Sequence, residues 1–153
     1  MTPLSAVEAG NGINPVSKDG LGRDLEADER HRILAVDDDE TILSLMVDTL
    51  SSQQYQVDVA RTCEDALPLI LFRDYCSIIL DIVLPDANGM SLFRQIARRR
   101  PALRPRVIFV TGAMDQGEAR RFVKLIDNRV LLKPFRLGEL ITAVRQVDSL
   151  KIG

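Results

Sequence analysis

Several absences narrow this chain quickly. Among 153 residues there is no tryptophan, one histidine and only two cysteines. Cys63 and Cys76 have no companion Cys or His cluster, so neither a disulfide framework nor a zinc site has enough ligands. Both read as small core or half-buried residues. Apolar runs such as Val107 to Val110 fall far short of the roughly 18 residues a membrane-spanning helix needs. Met1 to Gly20 lacks the basic start and apolar centre of a signal peptide, so the cytoplasm is the expected compartment, with no membrane partner. Charge of one sign is also scarce: 22 acidic and 20 basic side chains give a net charge of −2. Bulk electrostatic binding needs a concentrated positive excess, so direct nucleic-acid binding is not expected as the main activity.

What is present describes one ordinary domain. The chain is 46% apolar, enough for a self-sufficient core at this length. Residues 1–30 stand apart. They hold four of the nine glycines and two prolines, and six acids against three bases leave them at −3. With no helix or strand period, this stretch reads as a disordered N-terminal tail, and residues 31–150 as the folded domain.

From Arg32 onward, short β-rich apolar runs alternate with amphipathic segments of helical length, the pattern of an α/β parallel sheet covered by helices. The strand candidates are Ile33 to Val36, Gln56 to Ala60, Ser77 to Leu80, Val107 to Val110 and Val130 to Leu132. Helical stripes are expected from Ile42, Met46 and Leu50, from Met90, Phe93 and Ala97, from Phe122 and Ile126, and from Leu137, Leu140, Ile141 and Val144. Pro68 interrupts the second helical segment and predicts a kink or a late helix start there.

Ligands in such sheets bind beyond the carboxyl ends of the strands. Asp37, Asp38 and Asp39 follow the first strand, Asp81 the third, Thr111 the fourth and Lys133 the fifth. Carboxylates converging on one crevice repel each other unless a cation or a shifted proton offsets them. Hard oxygen ligands without His or Cys favour Mg²⁺, with Mn²⁺ as the second choice. A lysine and a hydroxyl beside them suit a phosphoryl group, so the residues alone point to a magnesium-dependent phosphoryl site with a carboxylate nucleophile.

The ordered strings ILAVDDDE, IILDIVLPDANGM, VIFVTGA and VLLKPF resemble the receiver domain of two-component response regulators over about residues 31–150. The resemblance implies a doubly wound, flavodoxin-like fold: a five-stranded parallel sheet of order 2-1-3-4-5 with helices on both faces. It implies that Asp81 is the phosphoacceptor, and that Asp37, Asp38, Asp81 and the backbone carbonyl of Val83 bind the metal. Thr111 and Lys133 would then contact the phosphoryl group, and Lys133-Pro134 would be a cis peptide. The implied partners are a histidine kinase or histidine phosphotransfer protein and a downstream protein target. That target would meet the side formed by the fourth helix, fifth strand and fifth helix, where Arg120, Arg121, Lys124 and Arg136 fall. Such a domain catalyses only its own phosphorylation and dephosphorylation and is not a turnover enzyme.

Two departures matter. Receivers usually place a Tyr or Phe three residues before the lysine, where this chain has Val130, so the aromatic half of the usual switch is missing. Their usual Asp-Gly after the third strand is Asn88-Gly89, which still suits a turn into a helix. Other residues fit plainer roles. Asp39 reads as a helix cap, and His31 as an exposed histidine outside any amphipathic helix and with no neighbouring acid in a recognisable motif. The arginines at 94, 98, 99, 100, 104 and 106 read as cations favoured by a helix C-terminus.

Two rivals remain. A haloacid-dehalogenase-like phosphatase would use Asp37 and Asp39, but it needs another acidic pair after the lysine, where only Glu139 and Asp148 follow Lys133, and it leaves Asp81 unexplained. A receiver fold that no longer cycles is opposed by the intact acid, Thr and Lys set. Val83 and Ala113, two residues after Asp81 and Thr111 respectively, offer no polar group to orient an attacking water. Slow self-dephosphorylation follows, because positioning the nucleophile is a large part of phosphoryl-transfer catalysis. A phosphorylated, purified sample is expected to keep its phosphate well beyond seconds, and loss within seconds contradicts this.

Overall fold

The computed structural model describes residues 31–112 and 117–150. The expected tail, residues 1–30, and Ala113 lie outside the described residues. Elements alternate strictly: β1 Arg32–Val36, α1 Glu40–Ser51, β2 Gln56–Ala60, α2 Cys63–Phe72, β3 Ser77–Asp81 and α3 Gly89–Arg99, followed by a 3₁₀ segment Pro101–Arg106, then β4 Val107–Thr111, α4 Gly117–Leu125, β5 Val130–Leu132 and α5 Leu137–Asp148. The strands form one parallel sheet of order β2-β1-β3-β4-β5, as the resemblance implied.

The sheet's period of two explains the two cores. Leu34, Val36, Ile78, Leu80, Val107 and Phe109 point to one face, where α2, α3 and α4 cover them with Ala66, Ile70, Phe93, Ile96 and Phe122. Ile33, Ala35, Ile79, Ile108 and Val110 point to the other, under Leu43, Met46, Leu50, Leu140, Ala143 and Val144 of α1 and α5. Phe93, Phe109 and Phe122 meet edge to face, with centroids 5.0 to 5.8 Å apart.

Some expectations shift by a residue or more. Asp81 and Thr111 are the last residues of β3 and β4 rather than the first beyond them. Leu43, not Ile42, takes the buried place on α1, and Leu92 and Ile96 carry α3 more than the half-buried Ala97. α2 does not start late. Thr62 caps it by accepting from Asp65 N–H at 3.0 Å, and the helix continues through Pro68 to Phe72. An N-terminal cap fixes the start, so the proline removes one interior hydrogen bond without moving the boundary.

The arginine cluster is mostly structural. Arg98 and Arg99 stand in the last turn of α3, while Arg94 and Arg104 lie over the rings of Phe122 and Phe93. Arg100 instead reaches the C-terminal end of α2, its Nη1 donating to the carbonyls of Ile70 at 2.7 Å, Arg73 at 3.2 Å and Leu71 at 3.3 Å. These are orphan acceptors at the negative end of a helix. Arg100→Met is expected to lower stability by about 2 kcal/mol, the scale of charged hydrogen bonds lost to buried or half-buried acceptors. The check is a lower urea midpoint at unchanged slope.

Candidate functional site

Parallel strands deliver their carboxyl ends to one edge of the sheet, and the polar residues gather there. Asp37 directly follows β1 and is fully buried, its N–H still bonded to Ala60 O at 3.1 Å. Its Oδ1 accepts from Asp39 N–H at 3.0 Å. Asp39 turns away from the crevice and caps α1, accepting from Thr41 N–H at 2.9 Å and Ile42 N–H at 3.3 Å. Asp38 is exposed. At the end of β3, Asp81 is 5% exposed; its Oδ1 accepts from Val83 N–H at 3.0 Å and its Oδ2 from Lys133 Nζ at 2.9 Å. Lys133 follows β5, its backbone N–H bonded to Thr111 O at 2.9 Å, and its peptide to Pro134 is cis. Its Nζ also stands 2.8 Å from Asp37 Oδ2. Thr111 is buried at the end of β4, opposite Leu132 of β5.

One ammonium therefore faces two buried carboxylates. Burial pushes the Asp81 carboxyl above its ordinary range, and the charge of Asp37 adds to this, while the hydrogen bonds from Lys133 and Val83 N–H pull against them. Burial alone would lower the Lys133 ammonium, but its contacts with Asp37 and Asp81 outweigh it and hold the group above the ordinary lysine value.

The residues fit a hard divalent cation. Carboxylate oxygens of Asp37, Asp38 and Asp81 lie within 4.8 Å of one another, an all-oxygen donor set in which the buried Asp37 Oδ2 is met by Lys133 Nζ at 2.8 Å. Three carboxylates against one ammonium leave a negative surplus that such a cation would offset.

Two residues matter here for reasons the sequence did not expose. A Cβ on Gly89 would stand 2.2 Å from Asp81 O, so this glycine serves the close approach of α3 to the end of β3 rather than a turn. Asp86, to which the sequence assigned no role, accepts from the first two N–H groups of α2. Neither role has a local signal, since each depends on a partner brought close by the fold.

Other candidates lie elsewhere. The His31 side chain is beside Tyr55, with ring centroids 6.3 Å apart. Glu139 accepts from Arg136 N–H at 2.8 Å and Asp148 from the Tyr55 hydroxyl at 3.3 Å, so neither supplies the acidic pair a phosphatase would need. Val130 is half-buried and packs against the core under α2 to α4.

A sheet of this order with this cluster at its carboxyl edge defines a class of signalling fold, and comparison with known proteins names it. The family model of the response regulator receiver domain matches residues 33–145. The transcriptional regulatory protein SpaR of Bacillus subtilis is 32% identical over 113 residues, covering 74% of this chain and 50% of SpaR. DltR of Streptococcus agalactiae is 30% identical over 114 residues, with the same coverages. Among solved structures, the HemR receiver domain of Leptospira biflexa has a TM-score of 0.70 at 31% identity, covering 80% of this chain and 97% of that one. The receiver domain of the Pseudomonas aeruginosa sensor kinase PA1611, solved with magnesium in its active-site cleft, has a TM-score of 0.70 at 25% identity, covering 78% and 98%. The chain belongs to the response regulator receiver-domain family, whose members are signalling domains rather than metabolic enzymes. It spans about half the length of the curated relatives it matches. No helix among the described residues is long and apolar enough to cross a membrane.

The charge balance of the cluster is testable without phosphate. Lys133→Met removes the ammonium beside two carboxylates, so it is expected to lower Tm in EDTA and to enlarge the rise in Tm on adding Mg²⁺. Differential scanning calorimetry with and without Mg²⁺ measures both, and equal rises in the native and variant chains would contradict it.

Proposed function

We propose that this receiver accepts a phosphoryl group on Asp81 from a histidine kinase or histidine phosphotransfer protein and thereby switches the binding of a downstream protein. The observation that carries the reading is the pairing of a nearly buried Asp81 carboxylate with Lys133 Nζ at 2.9 Å, inside a cluster completed by Asp37 and Asp38. In the transfer, an Asp81 oxygen attacks phosphorus. The new O–P bond forms as the donor's P–N bond breaks, and the imidazole leaves with the electron pair. Lys133 then exchanges its contact with Asp81 Oδ2 for a phosphoryl oxygen, and Thr111 offers its hydroxyl to another. Asp37, Asp38, Asp81 and the Val83 carbonyl would hold Mg²⁺, with Mn²⁺ as a substitute. The cation, when bound, neutralises charge developing on the phosphoryl oxygens.

The domain is assigned to residues 31–150, with residues 1–30 as a separate tail, and to the cytoplasm, where such donors act. The α4-β5-α5 side is the proposed output surface. It presents Arg120, Arg121, Lys124 and Arg136 together with the exposed Leu125 and Leu132. Two of the relatives are transcriptional regulators, which suits a receiver that controls another domain or protein. With Val130 in the usual aromatic place, the switch falls to Thr111, the loop after β4 and backbone movement. Partners must bind the two conformations unequally for any signal to pass.

The test is intact-mass analysis after incubation with acetyl phosphate and Mg²⁺, which spares the need for a cognate kinase. The native chain is expected to gain one phosphoryl group and Asp81→Asn none. Modification persisting in the variant removes Asp81 from its role. Turnover of a generic phosphate ester would instead favour a phosphatase.

A further inference from the structure

The loop between β3 and α3, residues 82–88, begins beside the acceptor and carries Val83. It is fixed from an unexpected direction. Asp86 Oδ1 accepts from Cys63 N–H at 3.0 Å and Oδ2 from Glu64 N–H at 2.9 Å, across 23 and 22 residues of chain. These are the first two residues of α2, whose N–H groups have no partner within the helix. The bonds from Cys63 and Glu64 N–H hold the Asp86 carboxyl below the usual carboxylate range. The helix already has its own cap in Thr62, so Asp86 does not replace a missing one. Cys63 Sγ adds a weak contact to Asn88 O at 3.8 Å, tying a second point of the same loop to α2.

The loop leads directly to the reacting carboxylate. Val83 bridges to Asn88 across it, and Val83 N–H donates to Asp81 Oδ1 at 3.0 Å. Displacing the loop would therefore move both a donor on the acceptor and the backbone expected to face the cation. We propose that Asp86 is a positioning residue: by clamping the loop onto the first turn of α2, it sets the place of Val83 relative to Asp37, Asp38 and Asp81. The proposal rests on the cation site described above, and it adds a residue outside that cluster on which the cluster's geometry depends.

Isothermal titration of the chain with MgCl₂, paired with thermal unfolding, tests it in the native protein and in Asp86→Ala, Asp86→Asn and Thr62→Ala. Asp86→Ala is expected to weaken Mg²⁺ binding about tenfold, the scale seen when a residue that orients metal ligands is lost. Asp86→Asn, which keeps one acceptor oxygen, is expected to lose less, and it carries the test should the alanine variant not fold. Thr62→Ala removes a cap from the same helix without touching the loop, so it is expected to lower Tm while leaving Mg²⁺ affinity native. Asp86→Ala binding Mg²⁺ as tightly as the native chain would overturn the proposal and leave Asp86 a helix cap. Equal weakening in Thr62→Ala would overturn it too, because helix stability would then be the cause. Failure of the native chain to bind Mg²⁺ would remove the cation site itself, and the proposal with it.

Discussion

Repulsion among carboxylates at one end of a parallel sheet is the constraint around which this domain is arranged. Asp37 and Asp81 are both almost fully buried, and Asp38 stands beside them. Isolated charges so placed would cost several kcal/mol each. Lys133 makes the arrangement tolerable because β5 pairs with β4 and carries its side chain to within 2.9 Å of both buried acids. The compensation remains incomplete. The residual negative charge is what a divalent cation would offset on entering, and an anionic group could follow only once that charge is offset.

The rest of the fold supplies rigidity to that balance. β1, β3 and β4 are sealed on both faces, so their carboxyl ends cannot drift apart without opening a core. Helix starts do the finer work. Asp39 caps α1 and leaves Asp37 to the crevice, Asn88 caps α3 by accepting from Ser91 N–H at 2.8 Å, and Asp86 binds α2. The starts of α1, α2 and α3 are thus each tied by a side chain from a loop of the site. Arg61, at the end of β2, adds a bond to Asp38 O at 3.2 Å while pairing with Glu40. The loop after β1 is only three residues long, 37–39, and Asp39 N–H within it is bonded to Asp37 Oδ1.

Much of this was legible in the order of residues, because the features concerned are periodic or local. Apolar runs ending in Asp, Asp, Thr and Lys gave the strands and their functional ends, and Asp39 was recognisable as a cap from its place before a helical stripe. What escaped is what depends on distant partners. Gly89 looked like a turn residue, yet its need is set by Asp81 O, eight positions earlier in the chain. Arg100 looked like a cation for its own helix, but it neutralises the end of α2. Pro68 argued for a boundary that Thr62 had already placed elsewhere. For Gly89 and Arg100 a tertiary contact outweighed local propensity, whereas for Pro68 one local signal, the cap, outweighed another.

Val130 shows how a substitution can move a function without removing the site. A valine is stiff at χ1 and has no polar tip. Where it stands, half-buried and packed against the core under α2 to α4, it has little room for two rotamers of similar energy. A large aromatic in that position could swing between core and solvent and report the state of Thr111. A packed valine could not, so the energy gap of the proposed switch would lie in backbone and loop rather than in one side chain. In the proposed switch the conformational change would then be governed by how firmly the loops around Asp81 and Thr111 are held, which would give the helix-capping contacts a share in signalling as well as in stability.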